Sequence, residues 1–206
     1  MKVILAALCL LFLVDAAEAC NRKVPGSARQ RVVPERSIDQ ALFDAAVRAE
    51  VNYHRCRAGL REMGHAGGGM IEVARGHSTW MSKAQALSHQ SSLRGRRTHV
   101  DRMKAQGQRF TWAGENISRI PRFQFGDRSF HIVDQRRCAF EDRSGRTIAP
   151  HSYASLARLV VDRWMVSAGH RRNILNPTFT YHAAAVVYDP RAKHCGRFWI
   201  TQNLVG

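Results

Sequence analysis

The chain has 206 residues, 45% of them hydrophobic, and a formal net charge of +16. This length is enough for one well-filled hydrophobic core but not for two, so the sequence excludes a multidomain protein. The positive charge would attract nucleic acid, anionic lipid headgroups or acidic polysaccharide. However, the 27 arginines are spread along the chain, which argues against specific nucleic-acid binding and leaves non-specific adhesion to an anionic cell envelope as the expectation.

The first nineteen residues have the pattern of a secretory signal peptide. Lys2 gives a short basic start, residues 3–14 are an apolar run, and residues 17–19 form a small-x-small cleavage site. The run is too short to span a membrane, and no later run approaches that length. We therefore expect a soluble protein, exported to the periplasm or the medium, with a charge of +17 once Lys2, Asp15 and Glu18 are removed. Cys20 follows the predicted cut, so a lipid anchor is a minor alternative.

Four cysteines remain after the predicted cleavage: Cys20, Cys56, Cys138 and Cys195. An even number of cysteines in an exported chain predicts two disulfides, for which three pairings exist. We favour Cys138 with Cys195 and Cys20 with Cys56, although the sequence alone does not determine the pairing. Free buried thiols are the alternative.

The first half of the mature chain predicts two helices. Residues 20–36, with two prolines and several charges, resemble an extended leader, and Ser37-Ile-Asp-Gln40 has the form of a capping box. Apolar residues then recur at three- and four-residue steps as far as Leu60, which predicts the first helix. Glycine-rich residues 64–69 predict a loop, and residues 70–87 predict the second helix.

The next segment is less regular. Residues 94–108 are polar and predicted to be partly helical, and a short strand is expected within residues 110–120. Residues 121–150 lack periodicity and contain turn residues, so they are predicted to be an insertion held by Cys138.

The last part of the chain predicts a helix and two strands. The third helix covers residues 152–167 and is expected to end at Gly169. Residues 183–188 form a continuous apolar run, and residues 198–204 alternate between apolar and polar, as strands do. The fold class is therefore α+β, with helices packed on an antiparallel sheet.

Three titratable residues lie among small or apolar neighbours in the predicted core elements. They are Glu115 in Ala-Gly-Glu-Asn-Ile-Ser, His170 in Trp-Met-Val-Ser-Ala-Gly-His-Arg-Arg-Asn-Ile-Leu, and His89 in Leu-Ser-His-Gln-Ser. Polar groups beside apolar packing are costly unless they are paired, so the three residues are a candidate site.

These motifs resemble the CAP superfamily, or SCP domain, named for cysteine-rich secretory proteins, antigen five and pathogenesis-related proteins. The resemblance covers residues 37–206, and the form is that of bacterial secreted members. Its motifs occur in family order: Ala-x-x-His-Ser-x-x-Met at 74–81, Ser-His at 88–89, Gly-Glu-Asn-Ile at 114–117, the Trp-to-Leu helix motif at 164–175, and a closing apolar hairpin.

The resemblance implies a three-layer α-β-α sandwich with a central antiparallel sheet and a cleft lined by two histidines and two acidic residues. By position, the histidines are His89 and His170, and the first acid is Glu115. The second acid would fall three residues after Trp164, where this chain has Ser167. An acid–base pair that requires both carboxylates is therefore incomplete.

Two histidines and a glutamate are a plausible set of zinc ligands, with a fourth position open to water. The alternative is structural: Glu115 accepts hydrogen bonds that tie its strand to the third helix. A hydrolase is also conceivable, in which a metal-bound or histidine-activated water attacks an ester or peptide. Ser91 and Ser167 lie near the histidines in sequence, but neither belongs to a Gly-x-Ser-x-Gly motif.

Other polar and aromatic residues have simpler interpretations. His77 is expected to be a hydrogen-bonded core histidine, and Asn116 to satisfy backbone groups. Asn173 and Arg171 are expected to line the cleft rim or cap helix-end carbonyls. Four tryptophans are expected in the core or the cleft wall: Trp80, Trp112, Trp164 and Trp199.

The sequence thus predicts a secreted, monomeric CAP protein whose cleft binds a small ligand, a lipid or a divalent metal at the cell envelope. The first alternative is a metal-dependent or histidine-assisted hydrolase. The second is a basic adhesive protein that contacts an anionic envelope component.

Overall fold

The structure is a computed structural model that describes residues 20–32, 34 and 37–206. The predicted signal peptide, residues 1–19, lies outside the described residues. A four-stranded sheet lies at the centre of the fold. Its strands are β1 (Gly64–His65), β2 (Ala113–Pro121), β5 (Tyr181–Asp189) and β6 (Arg197–Val205). Their order across the sheet is β1-β5-β6-β2. Of the helices in the described part of the chain, none is long and apolar enough to cross a membrane.

The pairing in this sheet is antiparallel except at one edge. Strands β5 and β6 pair along their full lengths, and β2 pairs with β6 from Ala113 opposite Val205 to Pro121 opposite Arg197. Strand β1 pairs parallel to β5 over two residues only. The predicted antiparallel sheet is confirmed, with this parallel addition inside the segment that was expected to be a loop.

Helices cover both faces of the sheet, which gives the predicted three layers. Alternate side chains of a strand point to opposite faces. On β6, Ile200 and Leu204 pack with helices α1 (Gln40–Arg57) and α4 (Tyr153–Val166). On β5, Ala183 and Ala185 face helix α2 (Gly68–Ala84) on the other side. Burial on both faces explains why β5 reads as a continuous apolar run.

Two helix boundaries differ from those expected. Helix α1 is capped by Asp39, whose carboxylate accepts a hydrogen bond from the Leu42 amide at 2.9 Å, so the capping box predicted at Ser37 is wrong. The third helix expected over residues 152–167 is confirmed as α4, but a further helix that was not expected, α5 (Ala168–Ile174), follows the non-helical Ser167. Gly169 therefore lies inside a helix rather than ending one, and His170 is a helical residue.

The two segments without regular periodicity are also structured. In the predicted leader, Gly26–Arg29 form a 3-10 helix, and Ala28 and Val32 are fully buried, so this segment belongs to the packed domain. In residues 121–150, β3 (Phe130–Asp134) and β4 (Ala139–Asp142) form a hairpin. This hairpin packs on its own apolar cluster: Phe123, Phe125, Phe140 and Ile148.

The expected disulfide pairing is confirmed. Cys20 is bonded to Cys56 and Cys138 to Cys195, with Cα–Cα distances of 5.7 and 5.9 Å. The first bond ties the N-terminal segment to α1. The second ties the β3–β4 hairpin to the turn between β5 and β6.

We expect the double variant Cys20→Ser/Cys56→Ser to have a free energy of unfolding about 2–5 kcal/mol lower than the parent protein. The bond closes a loop of 36 residues, and its loss enlarges the conformational freedom of the unfolded chain. Urea denaturation followed by circular dichroism measures the change. An unchanged denaturation midpoint would show that this disulfide does not stabilise the domain.

Candidate functional site

Strand β2 lies at one edge of the sheet, and its consecutive side chains contact different layers. Glu115 faces the layer of α2 and α3 (His99–Ala105), whereas Asn116 faces α4 and α5. Because no described residue forms a further strand beyond β2, residues of both layers can meet around this edge. This topology brings together polar residues that are far apart in the sequence.

Glu115 is buried, and both of its carboxylate oxygens have protein partners. Oε1 accepts a hydrogen bond from His89 Nδ1 at 2.8 Å, and Oε2 accepts one from Arg102 Nη2 at 2.6 Å. Burial raises the pKa of this carboxyl, but the hydrogen bond from His89 and the positive charge of Arg102 lower it more, so the net pKa is below its ordinary value. Glu115 is therefore ionised at neutral pH.

Arg102, on α3, is the counter-ion of Glu115, and sequence analysis missed it. Its side chain is also buried, and it donates to the carbonyls of Arg97 at 2.9 Å and His89 at 3.2 Å. One guanidinium thus holds the segment between α2 and α3 against β2. The signal in the sequence was weak, because Arg102 is one of 27 arginines and only the Thr98-Asp101 capping box marks its helix.

His89 connects the buried carboxylate to the surface. Its side chain is 49% exposed, although its Nδ1 is bonded to the buried Glu115. An ionised carboxylate only accepts hydrogen bonds, so Nδ1 carries the proton and Nε2 is directed away from this bond. A carboxylate partner of this kind fixes the orientation and tautomer of the imidazole.

His170, on α5, lies opposite His89. The ring centroids are 6.3 Å apart, with planes tilted by 51°. Burial and the neighbouring His89 lower the pKa of His170 below its ordinary value, which favours the neutral imidazole at pH 7. The structure therefore brings Glu115, His89 and His170 to one edge of the molecule, with the two histidines facing each other.

A chain of side-chain amides positions α5 against β2. Asn173 Nδ2 donates to Asn116 Oδ1 at 2.9 Å and to the Glu115 carbonyl at 3.1 Å, and Asn116 Nδ2 donates to Gln202 Oε1 at 2.9 Å. These amides, rather than the Glu115 carboxylate, tie the strand to the helix that carries His170. Asn173 and Asn116 thus act as positioning residues for the cleft.

Two further histidines lie near Glu115. His77 on α2 is buried, donates a hydrogen bond from Nε2 to the Ser88 carbonyl at 2.9 Å and stacks on Trp80. Burial lowers the pKa of His77 to about 4, so the imidazole is neutral at pH 7. His99, which sequence analysis missed, is hydrogen-bonded to the backbone of Ala113, and its pKa is also lowered by burial. The interpretation of His77 as a hydrogen-bonded core histidine agrees with these contacts.

The two candidate serine nucleophiles have different environments. The Ser91 hydroxyl is buried and donates to the Arg96 carbonyl at 2.7 Å, so it fixes a turn. Ser167 forms the junction of α4 and α5, where its carbonyl accepts a hydrogen bond from the Arg171 amide.

Trp164 and Trp199 are buried, and Trp164 Nε1 donates to the Ile117 carbonyl at 3.1 Å. The expectation for Trp112 is wrong with respect to the core, because this side chain is 59% exposed.

The zinc set expected from Glu115 and the two histidines does not fit this arrangement. The carboxylate oxygens are both bonded within the protein, and His89 directs Nδ1 at one of them. Among residues 20–32, 34 and 37–206, no group of three or more His, Cys, Asp or Glu residues is arranged to hold a metal ion.

Replacing Arg102 with alanine should lower the free energy of unfolding by about 3–5 kcal/mol, because it leaves the Glu115 carboxylate buried without its counter-charge. The matched control is Arg97→Ala, which removes an exposed guanidinium bonded to Gln90 and should change stability by less than about 0.5 kcal/mol. Urea denaturation at pH 7 compares the two variants. Equal, small losses would mean that the buried ion pair does not stabilise the fold.

We expect stability to fall as the pH is lowered from about 6.5 toward 4. Burial lowers the pKa of His77, His151 and His182 to about 4, whereas a histidine in the unfolded chain titrates near 6.5. The unfolded chain therefore binds more protons in this window, and each histidine contributes a slope of up to about 1.4 kcal/mol per pH unit. The lowered pKa of Glu115 acts in the same direction at more acidic pH.

Urea denaturation between pH 7 and pH 4.5 measures this slope. The variant His151→Gln should reduce it, and His131→Ala, which removes an exposed histidine, should leave it unchanged. A flat profile across this range would contradict the burial of neutral histidines.

Two solved structures of bacterial proteins are similar to this fold. An extracellular protein containing an SCP domain from Bacillus anthracis str. Ames has 23% sequence identity and a TM-score of 0.50, and the match covers 81% of this chain and 41% of that one. An outer surface protein from Borrelia burgdorferi has 12% identity and a TM-score of 0.54, with 82% and 97% covered. At these identities the likeness establishes the fold alone.

The chain thus spans about two-fifths of the length of the Bacillus protein. No curated protein matches the sequence. The model of the CAP family, described as the cysteine-rich secretory protein family, matches residues 48–204, which is most of the chain. This match runs through both histidines and Glu115, and it shows that the chain belongs to the CAP family.

Proposed function

We propose that this protein is an exported binding protein that holds a small, polar component of the cell envelope between His89 and His170, without turnover. Export is supported by the two disulfides, which persist in oxidising compartments. It is also supported by the extracellular and outer-surface descriptions of the two similar proteins.

The proposal of binding without catalysis rests on the hydrogen bonds and the lowered pKa of Glu115. A general base is most effective when its pKa lies near the operating pH. Glu115 is buried against His89 at 2.8 Å and Arg102 at 2.6 Å, and its pKa is lowered, which makes it a weak proton acceptor. The position that would supply a second acid is Ser167, so neither acid position of the family pattern supplies a base of suitable pKa.

The chemistry of the two imidazoles indicates the kind of ligand. His89 directs Nδ1 at Glu115, which leaves Nε2 for a ligand, and the lowered pKa of His170 favours its neutral form, in which one ring nitrogen accepts a hydrogen bond. This pair suits a ligand that donates hydrogen bonds, such as the hydroxyl and amide groups of cell-wall fragments. The polar surroundings disfavour a lipid chain in this cleft.

A titration with soluble muropeptides, followed through the imidazole nitrogen resonances, tests the proposal. We expect the signals of His89 and His170 to shift and that of the buried His151 to stay unchanged. The variant His170→Ala should weaken binding at least tenfold, whereas the matched variant His131→Ala, outside the cleft, should bind normally.

Two further measurements on the same protein separate the alternatives. Hydrolysis of 4-nitrophenyl acetate or casein that is lost in His89→Ala would replace the proposal with a hydrolase. Stoichiometric binding of zinc chloride that is lost in His170→Ala would replace it with a metal site. If muropeptides shift neither imidazole, binding of cell-wall fragments by this cleft is refuted.

A further inference from the structure

A second concave site lies beyond the histidine cleft, where β2 and β6 end together. Arg119 follows Glu115 by four residues on β2, about 13 Å along the strand, and Arg197 pairs with Pro121 across the two strands. The cavity has a volume of about 290 Å³. We call it the basic groove; its lining includes Arg119, Ile120, Pro121, Phe125, Lys193 and Arg197.

The charge of the basic groove is of one sign. Arg119, Lys193 and Arg197 line it, and no aspartate or glutamate does. In the described part of the chain, none of the three has a carboxylate within ion-pairing distance, in contrast to the paired Arg102. Three cations that converge without an internal counter-ion favour an anionic ligand.

The groove also has an apolar part. Pro121 is half-buried and Phe125 is 6% exposed, and the fully buried Ile120 lies beneath this surface. Ligand pockets typically combine an apolar lining with a few converging polar groups. The combination here favours an anion that also carries an apolar segment over a simple inorganic ion.

One wall of the groove is held in an unfavourable backbone conformation. His194, Cys195 and Gly196 have consecutive positive φ angles of 57°, 61° and 91°. Such a conformation costs energy for residues other than glycine and is frequent at ligand sites. It is maintained here by the disulfide to Cys138 and by the His194 ring, which packs edge-on against Phe130 at 5.1 Å.

We propose that the basic groove binds an amphiphilic anion, with a phosphate or carboxylate group held by Arg119, Lys193 and Arg197 and an apolar segment against Pro121 and Phe125. The cationic lining, which includes neither His89 nor His170, makes this a second site. The inference is independent of the function proposed above, because it involves neither histidine of the cleft.

Isothermal titration calorimetry with three probes tests the groove. The probes are monododecyl phosphate below its critical micelle concentration, inorganic phosphate and dodecyl maltoside. We expect monododecyl phosphate to bind at least tenfold more tightly than either of the other two, since it alone has both the charge and the chain. The variant Arg119→Ala/Arg197→Ala should weaken its binding at least tenfold.

Two controls locate the ligand. The variant Arg29→Ala/Arg94→Ala removes the same charge from exposed positions elsewhere and should bind within twofold of the parent protein. His89→Ala should do the same. Circular dichroism verifies that each variant is folded.

Three results would overturn the proposal. Equal weakening by both arginine pairs would reduce the effect to overall charge. Loss of binding in His89→Ala would place the ligand in the histidine cleft. Association with phosphatidylglycerol vesicles, without binding of monomeric dodecyl phosphate, would indicate attraction to a charged membrane surface rather than a groove that takes one molecule.

Discussion

The buried ion pair between Glu115 and Arg102 organises one side of this molecule. Removing a carboxylate from water costs several kcal/mol, and the cost is offset only by close charges and hydrogen bonds. Here the guanidinium supplies the charge, and it also binds the backbone at Arg97 and His89. An irregular segment between two helices is thereby fixed to the sheet, and His89 gains a defined orientation that its exposed position alone would not provide.

This electrostatic arrangement also limits what the site can do. A carboxylate that is shared between an arginine and a histidine orients its neighbours but does not take up a proton near neutral pH. With Ser167 in place of a second acid, the chemically adaptable groups are the two imidazoles. The basic groove has a different character, because it is lined by Arg119, Lys193 and Arg197 and by no aspartate or glutamate. The two proposed sites therefore differ in chemistry: one offers imidazole nitrogens, and the other is cationic and partly apolar.

The sequence predicted those features that depend on local pattern or on ordered motifs. Periodicity located the helices and the two long strands, and motif order related His89, Glu115 and His170 to one cleft. It did not find Arg102, since nothing local distinguishes one arginine among many as a buried counter-ion. It missed helix α5 because glycine is a common helix stop signal, although here Gly169 lies within that helix.

The outward side of β2 has one more property that follows from the contacts around the cleft. Three alternate carbonyls of this edge strand accept hydrogen bonds from side chains: Ala113 from His99, Glu115 from Asn173, and Ile117 from Trp164. An edge strand with unpaired carbonyls is a template on which another extended chain can add. Because side chains of this protein already occupy those acceptors, the residues that fix the helices against β2 also leave fewer positions at which another strand can pair with this edge.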